Sequence, residues 1–125
     1  MVIKDGSTLP ENRPISEAEI AVVEWLIENA SMAGSLAHLR EGVRGLRVVG
    51  RCHCGCASVE FVDGGQADGA RIIADAIGAD SDGRGCGLIL WSLEGRISGL
   101  EIYEREGDSS KEIPAVATLK RWEEA

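Results

Sequence analysis

Cys86-Gly-Leu-Ile-Leu-Trp-Ser-Leu93, Glu94-Gly95 and Arg96-Ile-Ser-Gly-Leu-Glu-Ile-Tyr103 decide the fold. The first run is continuously apolar, as a strand buried on both faces must be. Two residues with glycine second separate it from the next run, which is what a primed hairpin turn requires. The spacing therefore predicts an antiparallel hairpin with an internal strand over 86–93 and its partner over 96–103. Upstream, a period-two pattern predicts a strand at 46–49 and another at 57–61, flanking a cysteine cluster. Asp63-Gly64-Gly65 reads as a turn and 70–77 as a further strand.

The N-terminal half reads differently. Ser16-Glu17-Ala18-Glu19 matches a capping box, with Ile15 and Ile20 placed for the hydrophobic staple. Val22, Trp25, Leu26 and Ala33, with Ile20, Val23 and Ile27 beside them, form an apolar face, and Glu17, Glu24 and Glu28 share the polar one. A helix over about 16–33 follows, stopped at Gly34. Ser35 caps a short second helix with Leu36 and Leu39, ended by Gly42. Residues 1–13 show no apolar period and read as a loose arm, with one domain over 14–125. A polar loop is expected at 105–112. The spacing of Val116, Leu119 and Trp122 leaves the last segment open between helix and strand. The expected fold is α+β: an N-terminal helix and a short second one packed on a four- to five-stranded, mostly antiparallel meander.

The chain has 125 residues, 44% of them hydrophobic and 27% charged, a globular balance. Apolar runs such as Ile20–Val23 are far too short to span a bilayer, so no membrane association is expected. The N-terminus has neither the basic region nor the apolar run of an export signal, which makes cytoplasmic residence the expectation. Thirteen Lys and Arg against 21 Asp and Glu give a net charge of −8, the wrong sign for neutralising phosphates. Nucleic acid is excluded as an expected ligand, and a basic protein partner is favoured by long-range attraction. Glu17, Glu24 and Glu28 on the helix and Glu101 and Glu104 on the hairpin are the candidate contacts.

Cys52-His53-Cys54-Gly55-Cys56 is the densest cluster of soft ligands, and Cys86 would complete four sulfurs if its strand lay beside the turn. Alternation of Cys-x-Cys separates same-face residues in a strand by roughly 6.5–7 Å, whereas zinc knuckles use longer intervals that wrap the metal. The leading reading is reduced cysteines packed at a turn between strands. Zinc at Cys52, Cys54, Cys56 and Cys86, or oxidation sensing by thiolates near Arg47, Arg51 or His53, is the alternative.

Other constellations read as structural. His38 belongs on a helix surface, and His53 has no orienting third group, so no nucleophilic catalyst is assembled. Asp80-Ser81-Asp82-Gly83 matches part of a calcium loop, but position twelve is Ile89, which makes it a solvated turn. Glu101 and Glu104, three apart in a strand, fall on opposite faces. Glu101 among apolar neighbours is expected to meet Arg47 or Arg71 across the sheet. Trp25, Trp91 and Trp122 occupy apolar phases and are expected in the core.

Arg51–Phe61 and Gly87–Tyr103 together resemble small bacterial domains that carry a Cys-x-Cys-Gly-Cys element before a short strand and a later Gly-Leu-Glu-Ile/Val-Tyr strand. The second half is also similar to small immunity-type proteins of bacterial toxin systems. That resemblance implies a non-enzymatic domain that holds a protein partner and carries over no catalytic residue.

Overall fold

The computed structural model describes residues 8–32, 34–52, 56–66, 68–104 and 112–124. In chain order the elements are strand β1 (Thr8–Pro14), helix α1 (Glu17–Asn29), helix α2 (Ala37–Arg40) and strands β2 (Arg47–Cys52), β3 (Val59–Glu60), β4 (Arg71–Ala79), β5 (Gly85–Leu93) and β6 (Arg96–Glu104). The strands form one antiparallel sheet in the order β1-β2-β3-β6-β5-β4. The architecture is thus helices with a six-stranded sheet, not four or five strands, and not one continuous meander.

The extra strand is β1, in a stretch expected to be part of a loose arm. Tertiary contacts supply what its own pattern lacks. It pairs with β2 across a bulge between Pro10 and Arg13. Arg13 then reaches the first turn of α1, donating from Nη1 and Nη2 to the two oxygens of Glu19 at 2.9 and 2.8 Å. Two prolines and the bulge also blunt this outer edge against further pairing.

Helix α1 begins as its capping box dictates: Glu19 N donates to Ser16 Oγ at 3.1 Å and Ser16 N to Glu19 Oε1 at 2.8 Å. It ends at Asn29, four residues short of the expected 33. The reason is the sheet edge. Ala30 O accepts from Asp75 N at 3.4 Å and Met32 N donates to Ile73 O at 3.0 Å, so this backbone pairs with β4 instead of continuing the helix. Val22, Val23, Leu26 and Ile27 pack with Ala74, Ala76, Leu88, Leu90, Leu100 and Ile102 in the main core.

The 86–93 and 96–103 hairpin forms as expected. Glu94 and Gly95 have φ of 52° and 79°, the two positive values a type I′ turn needs. β3 is only two residues long, because Ser58 turns its hydroxyl into the gap, accepting from Ile102 N at 2.8 Å and donating to Ile102 O at 3.1 Å. The 61–70 connection then carries the chain past β6 and β5 to the far edge at β4.

The last segment is neither helix nor strand. Single 3-10 turns at Val116–Thr118 and Trp122–Glu124 flank Lys120, which exchanges two 2.9 Å backbone hydrogen bonds with Ile77. This wraps the chain around the β4 edge and leaves Trp122 39% exposed, against its expected place in the core. Trp91 is buried and Trp25 half-buried. Among the described residues no helix is long and apolar enough to cross a membrane.

Candidate functional site

Paired residues of an antiparallel ladder share a face, so the register sorts the candidate side chains. Val59, Leu100, Leu90 and Ala74 form one row on the face that meets α1. Gly50, Glu60, Gly99 and Trp91 form a row on the opposite face, and Glu101 and Ile89 lie in the next row of that face.

On this second face two carboxylates are buried, Glu60 at 5% exposure and Glu101 at 3%. Glycines make the room. A Cβ at Gly50 would lie 3.0 Å from Glu60 Oε1, and one at Gly99 would lie 3.2 Å from Gln66 Nε2. Glu101 accepts from Trp91 Nε1 at 3.3 Å. Burial holds its carboxyl above the usual range, and the indole hydrogen bond opposes that shift without cancelling it. The expected arginine contact is not what the register provides: Arg47 donates to Asn12 Oδ1 at 2.9 Å, and Arg71 is exposed on β4. Glu104 is half-buried opposite Cys86 and, as expected, on the other face from Glu101. Glu101 is therefore a buried polar group and no part of a contact surface. Glu60 and Gln66 were missed by sequence reading. The signal was a charge between Val59 and Phe61 with glycines on both neighbouring strands, which only the register could align.

The helix acids are on the surface but engaged. Glu17 meets Arg44 at 3.4 Å. Glu28 meets Arg40 at 2.7 Å, and Glu24 the same guanidinium at 4.0 Å. Exposed carboxylates without an ion pair among the described residues are instead at turns, including Asp82, Glu94 and Glu41.

Cys52 ends β2 opposite Thr8, and Cys56 lies just before β3; both are half-buried. Cys54 and His53 lie outside the described residues. Cys86 is not brought to the cluster: it is fully buried in the aliphatic core on β5, with β3 and β6 between it and β2. Three strand spacings amount to roughly 14 Å, far beyond a shared coordination sphere. Among the described residues no three Cys, His, Asp or Glu side chains are grouped to hold a metal ion. His38 is exposed on α2, and Asp80 Oδ1 caps its own turn, accepting from Asp82 N at 3.0 Å and Arg84 N at 2.9 Å.

A feature invisible in the sequence lies where α1 meets the C-terminal segment. Trp25, Glu28, Asn29, Leu119, Lys120 and Arg121 line a half-open cleft of about 660 Å³. Met32, just beyond Asn29, is 56% exposed, and Trp122, just beyond Arg121, is among the other exposed large apolar side chains. Two of the lining side chains, Trp25 and Leu119, are apolar, and Glu28, Asn29, Lys120 and Arg121 make the rest of the lining polar. In comparison with known proteins, the chain matches no family model, no curated protein and no solved structure.

Proposed function

We propose that this chain is a non-enzymatic protein-binding domain, immunity-like or accessory in type, whose partner is a basic protein. The observation that carries the reading is the net charge of −8. A surplus of that size raises the encounter rate with a cationic protein and disfavours acidic ones. The contacts differ from those first expected. Glu17, Glu24 and Glu28 are partly neutralised by Arg44 and Arg40, and Glu101 is buried, so the exposed carboxylates at the turns supply more of the field. The test is to recover the tagged chain from its own cells at low ionic strength and record native mass spectra at low and raised salt. A complex with a basic protein that dissociates as salt rises supports the reading. The chain alone at both salts, or a complex indifferent to salt, sinks it.

A second reading has its own observation: Cys52 at the end of β2 and Cys56 shortly before β3 are both half-exposed, as a thiol site for zinc or oxidation would need. In the same spectra a zinc-mass adduct, lost on thiol alkylation and on Cys54→Ser, would favour that reading.

A further inference from the structure

We propose that the cleft between α1 and the C-terminal segment binds a small aromatic carboxylate, with its anionic group on Lys120 and Arg121 and its ring against Trp25. The site is independent of the protein-binding reading above. Its size is the first observation: about 660 Å³ lies within the range of small-molecule sites and is far more than a bare anion fills. Charge is the second. Lys120, Arg121 and Glu28 are the ionised side chains of the lining. Glu28 is already neutralised, because Arg40, which is not part of the lining, holds it at 2.7 Å. Arg121 meets Glu123 at 3.5 Å in an exposed pair, worth little in water, with which a ligand carboxylate competes. Lys120 has no carboxylate partner among the described residues. The uncompensated charge at the cleft is therefore positive, on a chain whose net charge is −8.

Hydrogen bonding points the same way. Asn29 Nδ2 uses one hydrogen on Trp25 O at 3.1 Å and keeps a second, and the Trp25 indole N–H has no partner among the described residues. With Glu28 engaged, the lining offers donors, which an acceptor-only carboxylate satisfies. Both cations spring from an anchored backbone: Lys120 exchanges two 2.9 Å hydrogen bonds with Ile77, and Leu119 before it is buried. Trp25, half-buried on α1, leaves part of its ring to the cleft. The last turn of α1 carries no basic residue, so its carbonyls and Glu28 disfavour negative charge on the helix side. The carboxylate accordingly belongs on the wall of the C-terminal segment and the neutral ring on the Trp25 wall, and a phosphate dianion is a poorer fit.

The experiment titrates the full, isotope-labelled chain with naphthoate, with its neutral isostere naphthamide and with inorganic phosphate, and follows the N–H resonances by NMR. Naphthoate should give saturable shifts at the Trp25 indole, the Asn29 side-chain amide and the backbone of 119–121. Naphthamide should bind at least tenfold more weakly, and phosphate should not displace naphthoate. Lys120→Gln combined with Arg121→Gln keeps the backbone anchor, and should weaken naphthoate at least tenfold with Tm unchanged. Arg96→Gln, at the β5–β6 turn, should not. Naphthamide binding within tenfold of naphthoate, displacement by phosphate at equal affinity, or parent-like affinity in the double variant would each overturn the proposal. So would shifts confined to residues outside the cleft, or none at millimolar naphthoate. All of these outcomes leave the protein-binding reading standing, because that reading is tested by salt-sensitive capture.

Discussion

Glu101 shows how one side chain changes meaning with its surroundings. In the sequence it is a charge available to a partner; in the sheet it is buried against Trp91 with a carboxyl that resists ionisation. Because the folded chain holds this proton more tightly than the unfolded one, ionisation costs stability as pH rises above the ordinary carboxyl value of 4.5. Glu101→Gln keeps an acceptor for the indole and removes that cost. Its Tm advantage over the parent should therefore grow between pH 4 and pH 7 in paired thermal melts, and an advantage that shrinks would show an ionised, stabilised carboxylate. Close packing at glycines gives a second expectation. A Cβ at Gly65 would overlap the backbone carbonyl of Ser98, whereas one at Gly87 would meet the ring of Tyr103. A ring can turn aside and a strand carbonyl cannot. Gly65→Ala should cost about 1–3 kcal/mol or more, and Gly87→Ala less, in denaturant unfolding.

At the scale of elements, the start of α1 was legible and the strand before it was not. Capping boxes act between residues three apart, so Ser16 and Glu19 announce the helix without help from the rest of the chain. β1 has no such signal: its place depends on the β2 ladder and on Arg13 meeting Glu19. Burial alone would raise the Glu19 carboxyl, but hydrogen bonds from Arg13 and Ser16 more than reverse this and hold it below the ordinary range. Here the sign is opposite to that at Glu101. The stabilisation is present above pH 4.5 and lost as pH falls through the lowered folded value. Glu19→Gln should cost about 1–2 kcal/mol at pH 7, discounted for the part-exposed arginine, and converge on the parent in strong acid. Ser16→Ala removes the cap without touching the ion pair and should cost about 1 kcal/mol. Urea titrations at pH 7 and pH 2 separate the two effects.

At the scale of the whole molecule, the strand order sets which cysteines can act together. Cys86 is sealed in the core, whereas Cys52 at the end of β2 and Cys56 shortly before β3 are half-exposed. Alkylation of the native protein should therefore modify Cys52 and Cys56 first, and Cys86 at a rate set by unfolding. Peptide mass mapping over a time course checks this; modification of Cys86 as fast as the other two would contradict the core assignment. The same strand order takes Glu101 out of the candidate contact surface and brings Trp25 to the cleft beside Leu119.

The sequence by itself determined the type I′ hairpin at Glu94-Gly95, the capped start of α1 and the acidic charge, because turn chemistry, caps and composition act within a few residues or over none. It did not determine β1, the early end of α1, the pairing of β3 with β6, the pairing of helix acids with Arg40 and Arg44, or the distance from Cys86 to the other thiols. Those were decided only in the tertiary structure. Each depends on which elements meet in space, strand against strand or helix against helix, and spacing along the chain does not encode that choice.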